Sequence, residues 1–237
     1  MKNIILITTT LLFVMCNFCV AQEKIKLENV NVNEENISDA LPRNAVYIFP
    51  DFIKGKVFFD NGATSTADLN YNTLLSEMQF LDKDSNILSL ANPQDVTYIT
   101  VGKKVFYYVS DKAFGELIVN SDNIKLCVKR RTEYTETKSQ GAYGQSNITS
   151  AITNINSLNQ FKHSELSVFR DLEFIIKDEF LLEKNGKFTK ISNAKSFVKA
   201  FPNYKEEITR FVETNKTNFK NEKDLIKLTN YCIQLSL

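Results

Sequence analysis

The sequence predicts an α+β protein, with an N-terminal antiparallel β-meander over residues 45–135 and a C-terminal β-hairpin followed by three short helices. Three observations carry that expectation. Between Val46 and Tyr134, short runs rich in β-branched and aromatic residues alternate with turn residues, and no helical period intervenes. Asn185-Gly186 lies between two strand-like runs, a two-residue hairpin signal. Beyond Ile191 the apolar spacing becomes helical.

Residues 1–21 read as a secretory signal peptide. Lys2 gives a short positive start, Ile4 to Val14 is apolar apart from its threonines, and Cys19-Val20-Ala21 offers small residues before a cut at Gln22. The stretch is short and interrupted for a membrane span. Neither Cys16 after Met15 nor Cys19 after Phe18 stands in the setting of a lipid-anchored cysteine. The expectation is export to the periplasm or cell exterior, with no transmembrane anchor once the leader is removed.

Gly55-Lys-Val-Phe-Phe-Asp-Asn-Gly62 is a strand running into an Asn-Gly turn. Leu74 to Leu81 follows, then a polar turn over Asp82-Lys-Asp-Ser-Asn86 and a run from Ile87 to Leu90 that Asn92-Pro93 breaks. Val96 to Val101 and Val105 to Val109 flank Gly102-Lys103-Lys104 as a hairpin, and Phe114 to Val119 continues the series. Ile124, Leu126 and Val128 alternate with Lys125, Cys127 and Lys129, a strand with one wet face. Close strands joined by short turns imply antiparallel pairing, and one face needs cover, either by curling of the sheet or by the rest of the chain.

Residues 136–160 form a polar linker centred on Gly141-Ala-Tyr-Gly144. Residues 161–237 hold the hairpin and the helical region. There Asn193 caps a helix carrying Phe197, Val198 and Phe201, which Pro202 ends. Asn203-Tyr-Lys-Glu206 reads as the capping box of a second helix. Asn221 caps a third, whose apolar face is Leu225, Ile226, Leu228, Thr229, Cys232 and Leu235.

Composition excludes several functions. With 29 Lys+Arg against 28 Asp+Glu, bulk charge gives no support for nucleic acid as a partner. The single histidine, His163, stands at the linker's edge with no nucleophile elbow anywhere, which argues against a Ser-His-Asp or Cys-His machine. One histidine and two separated cysteines do not make a zinc site. Asp82-Lys-Asp84-Ser-Asn86 lacks the glycine and closing glutamate of a calcium loop, so no metal and no cofactor is expected. Carboxylate pairs such as Asp111 with Glu116, or Asp171 with Glu173, are what a glycan hydrolase would need, though the chain has no tryptophan to stack on sugars.

Two clusters remain as candidate binding residues. Asn70, Tyr71 and Asn72 either bind a polar ligand or form an Asx-type turn around a packed tyrosine. Lys129, Arg130 and Arg131, with Lys125, either hold phosphate or anionic lipid or form the charged outer face of a strand end. Cys127 and Cys232 remain after the leader, either joined by a disulfide or buried as separate thiols.

Gly55-x-Val57-x-Phe59-x-Asn61-Gly62, Ala67-x-Leu69-Asn70-Tyr71-Asn72 and Glu77-Met78-Gln79-Phe80 carry a resemblance. So do the Gly141-Ala-Tyr-Gly144 loop, Phe201-Pro202, Phe219-Lys-Asn-Glu222, Asp224-Leu225 and Tyr231. In these strings the chain is similar to secreted, uncharacterised proteins of Bacteroidota. The resemblance implies export in a diderm bacterium and brings no activity, cofactor or catalytic residue. The functional expectation is an exported non-enzymatic binding or interaction protein whose partner is an envelope protein. The alternatives are a carboxylate-based glycan hydrolase and a lipid-holding half-barrel.

Overall fold

The computed structural model describes residues 24–31, 41–110, 112–137 and 169–236. The leader, most of the linker with its Gly141–Gly144 loop, Asp111 and His163 lie outside the described residues. Antiparallel β structure dominates, with a few helices. The strands are β1 (Lys24–Asn31), β2 (Ile53–Phe59), β3 (Thr64–Asn72), β4 (Glu77–Leu81), β5 (Ile87–Ser89), β6 (Val96–Val101) and β7 (Lys104–Ser110). β8 (Ala113–Asn120), β9 (Ile124–Thr137), β10 (Phe169–Lys184) and β11 (Lys187–Ile191) follow. The helices are α1 (Arg43–Val46), α2 (Ala194–Ala200), α3 (Lys205–Asn215) and α4 (Glu222–Leu235).

All eleven strands of the described residues join one sheet in the order β1-β10-β9-β8-β7-β6-β2-β3-β4-β5, with β11 on β10. This is two meanders, β2 to β5 and β6 to β10, joined because β6 pairs with β2 instead of with β5. The chain therefore crosses from one side to the other through Leu90–Asp95, ending in a 3-10 turn at Pro93–Asp95. β3 departs from the sequence reading. Its first residues, Thr64 to Thr66, are all exposed and its last, Leu69 to Asn72, are all buried, so the alternation that reveals a strand is missing from it. β10 is one strand of sixteen residues, longer than the hairpin signal at Asn185-Gly186 implies by itself, and it pairs with β9 from Asp171 opposite Thr137 to Lys184 opposite Ile124.

The sheet has one dry face, covered in two ways. From β2 to β8 it curls into a half-barrel around Val57, Leu69, Tyr71, Met78, Ile99, Val101, Phe106 and Phe114. The β3–β4 turn closes the curl: Phe114 N–H donates to the Ser76 carbonyl (3.1 Å), and Thr132 N–H to the Thr73 carbonyl (2.9 Å). From β8 to β11 the same face carries Val119, Ile124, Leu126, Val128, Phe180, Leu182 and Ile191. Helices α2 to α4 cover it with Phe197, Phe201, Ile208, Leu225, Leu228 and Cys232. A third cluster, Leu41, Val46, Leu74, Tyr134, Leu172 and Phe174, seals the far ends of β9 and β10.

Local chemistry sets the ends. Asn185 (φ 55°) and Gly186 (φ 76°) both take positive φ, as a tight hairpin turn between right-twisted strands requires. Asn193 and Ser196 form a reciprocal capping box on α2. The Asn203 capping box does not form. Pro202 starts a 3-10 turn that absorbs Asn203, so α3 starts at Lys205 with Tyr204 as an uncapped N-cap. Asn221 caps α4 by accepting from Asp224 N–H (3.2 Å). Among the described residues, no helix is long and apolar enough to cross a membrane.

Candidate functional site

Curling a sheet covers its sides and leaves its ends open. At the end where β2 finishes and β6 begins, the half-barrel core continues into a groove of about 800 Å³. Its apolar lining comes from Phe59, Phe80, Leu88, Leu90, Ala91 and Val96, which belong to β2, β4, β5, the crossing segment and β6. Register explains the convergence. Phe80 stands opposite Leu69 and Leu88, and Phe59 opposite Val96, so all four share the face of the buried Leu69. Leu88 on this floor is 43% exposed. A patch of this kind at the end of a packed core marks a binding surface more often than a scattered apolar residue does.

The rim is polar and carries one sign of charge. Asp60, Asn61, Asn92 and Asp95 line it, and among the described residues no Lys, Arg or His does. Asp60 Oδ1 accepts from Thr97 Oγ1 (2.7 Å), and its N–H donates to the Asp95 carbonyl (3.0 Å). Asn61 Oδ1 accepts from Ala63 N–H (2.9 Å), which forms the tip of the β2–β3 turn. The Asn92 side chain does not cap the 3-10 turn that it precedes.

Asn70, Tyr71 and Asn72 lie elsewhere, at the inner end of β3, and each is 1% exposed. Asn70 Oδ1 accepts from the N–H groups of Phe49 and Tyr71, while its Nδ2 donates to the carbonyls of Phe49 and Asp51. The amide is saturated by the backbone that leads into β2. Tyr71 stacks on Phe106 at 5.5 Å and directs its hydroxyl to the carbonyls of Phe114 (2.9 Å) and Arg130 (3.2 Å). Burial pushes its phenol well above the ordinary range. Asn72 accepts from Leu74 and Leu75 N–H and donates to Gln79 Oε1, so it shapes the β3–β4 turn. These three side chains hold the closure of the curl and offer nothing to a ligand.

The basic cluster is divided by the pleat. Arg130 is on the dry face, where it reaches Glu116 (3.4 Å), Asp178 (2.9 Å) and Glu222 (3.0 Å), joining β8, β10 and α4. Burial opposes its charge, and the carboxylates of Asp178, Glu116 and Glu222 more than compensate, raising its pKa. Lys129 and Arg131 are on the wet face, paired with Glu179 (3.1 Å) and Glu133 (2.6 Å). Glu179 also takes Lys190 (2.5 Å), and these hydrogen bonds outweigh its burial to lower its pKa. Lys125 pairs with Glu183 (2.7 Å), which raises the lysine pKa. Every cation of the cluster already has a carboxylate, which leaves none to bind a phosphate.

The nominated carboxylates are similarly engaged. Glu116 is buried between Lys104 and Arg130. Glu173 is held by Lys24 (2.8 Å), whose hydrogen bond lowers its pKa, the opposite of what a general acid needs. The Asp82 carboxylate accepts from Asp84 and Asn86 N–H and from Asn86 Nδ2, so it forms a turn. Among the described residues no group of His, Cys, Asp and Glu is placed to hold a metal ion. Cys127 and Cys232 are free and buried. Cys232 lies in the helical core with Leu126 and Val128, and Cys127, between those two on β9, points to the other face. The sheet stands between the two sulfurs, so no disulfide joins them. Burial pushes each thiol up to about 12.

The groove was not legible as a site in the sequence. Phe59, Phe80, Leu88, Leu90 and Val96 each read as core. The available signal was Ile87-Leu88, an apolar pair between a polar turn and the Asn92-Pro93 break. The chain matches no family model, no curated protein and no solved structure.

Proposed function

We propose that the protein is an exported, non-enzymatic binding module of a diderm bacterial envelope, acting in the periplasm or at the cell exterior and joining the secreted Bacteroidota proteins that it resembles. The N-terminal antiparallel half is the binding half, and the C-terminal hairpin with its three short helices supports it. The partner is an envelope protein, reached without a transmembrane anchor.

One observation carries the reading: an apolar groove of about 800 Å³, open to solvent and continuous with the core. That size and lining fit a site that takes an apolar group. The interior of the half-barrel is filled by Tyr71, Phe106, Phe114 and Met78, which speaks against an acyl chain held inside it. The ion-paired state of Glu116 and Glu173 speaks against the hydrolase.

A solvatochromic apolar dye titrated into the purified protein tests the site. It brightens saturably, and Leu88→Asp removes the effect with an unchanged far-UV circular dichroism spectrum. No brightening, or equal brightening in the variant, contradicts the assignment. The mass of the protein recovered from the envelope fraction tests export: the N-terminus is Gln22, and an intact Met1 contradicts the leader.

A further inference from the structure

We infer that the groove takes an extended peptide segment, laid along the free edge of β5, with an apolar side chain on the groove floor and a Lys or Arg at the Asp60–Asp95 rim. The inference rests on the proposal that this groove is the binding site, and it adds the chemistry of the partner.

Charge selects a cation. Among the described residues, Asp60 and Asp95 are the only charged side chains that line the groove, and both are acidic. Elsewhere on this sheet carboxylates stand beside cations: Glu116, Glu133, Glu173, Glu179 and Glu183 each have a Lys or Arg within 4 Å. Among the described residues neither Asp60 nor Asp95 has one, and Asp60 is engaged only by the Thr97 hydroxyl. Two carboxylates beside an apolar floor attract a cation whose neighbouring group is apolar, and they repel an anion.

The strand edge selects a peptide over a small amphiphile. β5 ends the sheet, and among the described residues no strand pairs with its outer edge. Its unpaired N–H and C=O groups match an extended backbone. The edge is three residues long, short enough to discourage indiscriminate sheet growth, so the floor and the rim must supply the rest of the specificity. The Asn92 amide beside the edge adds a donor and an acceptor. In an added strand, residues i and i+2 face the same side, so the recognised pattern is apolar–any–basic.

Fluorescence anisotropy with short labelled peptides tests this at low salt. Two peptides share one extended sequence with Leu at alternate positions and differ only in carrying Lys or Glu two residues after a leucine. A third repeats the Lys peptide with backbone N-methyl groups on the edge that would pair. The Lys peptide binds about tenfold more tightly than the Glu peptide, and the gap narrows as salt is added. Asp60→Asn with Asp95→Asn erases the discrimination, and N-methylation weakens binding. Equal affinity for Lys and Glu peptides, or no loss on N-methylation, overturns the inference. Binding of the dye without binding of any peptide overturns the inference and leaves the groove assignment standing. Failure of both dye and peptides removes the groove assignment itself.

Discussion

The half-barrel of β2 to β8 and the helix-covered half of β8 to β11 are two solutions to one problem, posed by the same sheet and the same alternation. Curling buries Leu69, Ile99 and Phe106 against one another with no additional chain, and needs only the β3–β4 turn to reach β8 and β9. Helices α2 to α4 bury Leu126, Val128 and Leu182 with some forty residues of additional chain, about four turns of it in α4 alone. The difference shows at the ends. The helices cover the dry face of their half, and the curl leaves one end exposed, where the groove lies. Arg130 couples the two, since its guanidinium joins β8 and β10 to α4 while its carbonyl receives the Tyr71 hydroxyl.

The largest expected effects come from removing one aromatic residue on either side. Phe197→Ala, in the helical core, and Phe106→Ala, in the curl, each cost about 3–5 kcal/mol. Hydrogen exchange separates them. Phe197→Ala raises exchange in α2 to α4 and β11 and leaves β2, β3 and β6 protected, and Phe106→Ala does the reverse. Uniform loss in both would mean that the sheet has no such division.

Gly55→Ala tests the packing of β2 against β3 and β6. A Cβ there would stand 2.6 Å from the Thr100 carbonyl oxygen and 2.7 Å from Leu69 Cδ1. The carbonyl belongs to the β2–β6 ladder and cannot retreat, so the variant loses about 1–3 kcal/mol in urea unfolding. A neutral result would show that the strands lie further apart than described.

The cysteines report on the two faces through pH. Their folded pKa values, raised to about 12 from an ordinary 9.0, mean that the folded state holds the thiol protons more tightly. That contribution is complete below about pH 9 and is lost progressively as pH rises towards 12. The urea midpoint therefore falls between these limits, and Cys127→Ala with Cys232→Ala flattens the decline. An unchanged slope would place the thiols in contact with water.

Thr229→Val gives the smallest effect. The Thr229 hydroxyl is buried in the helical core with no hydrogen-bond partner among the described residues, so its removal raises stability by about 1 kcal/mol. Destabilisation would reveal a bond to that hydroxyl.

How much of this was legible follows from where each signal lies. The Asn185-Gly186 turn, the Asn193 and Asn221 caps and the Ile124-Leu126-Val128 alternation are local, and a few neighbouring residues decide them. β3 was hidden because Thr64 to Thr66 face water on an outer stretch where packing imposes no alternation. The partner of β1 is β10, well over a hundred residues away, and the β2–β6 pairing depends on a crossing segment with no signature of its own. The saturation of Asn70 and the three carboxylates around Arg130 arise only when distant elements meet. The groove was least legible of all, because its floor comes from four strands, β2, β4, β5 and β6, and becomes surface only where the curl stops.

Everything proposed for this protein requires the open end of the curl to be the binding surface. The most direct test is to map amide chemical-shift changes on the isotope-labelled protein as the Leu/Lys peptide is added. Changes confined to Phe59–Asn61, Phe80, Ile87–Ser89 and Asn92–Val96 are expected. Changes concentrated on the ion-paired wet face of β9 and β10, around Lys129 and Arg131, would contradict it.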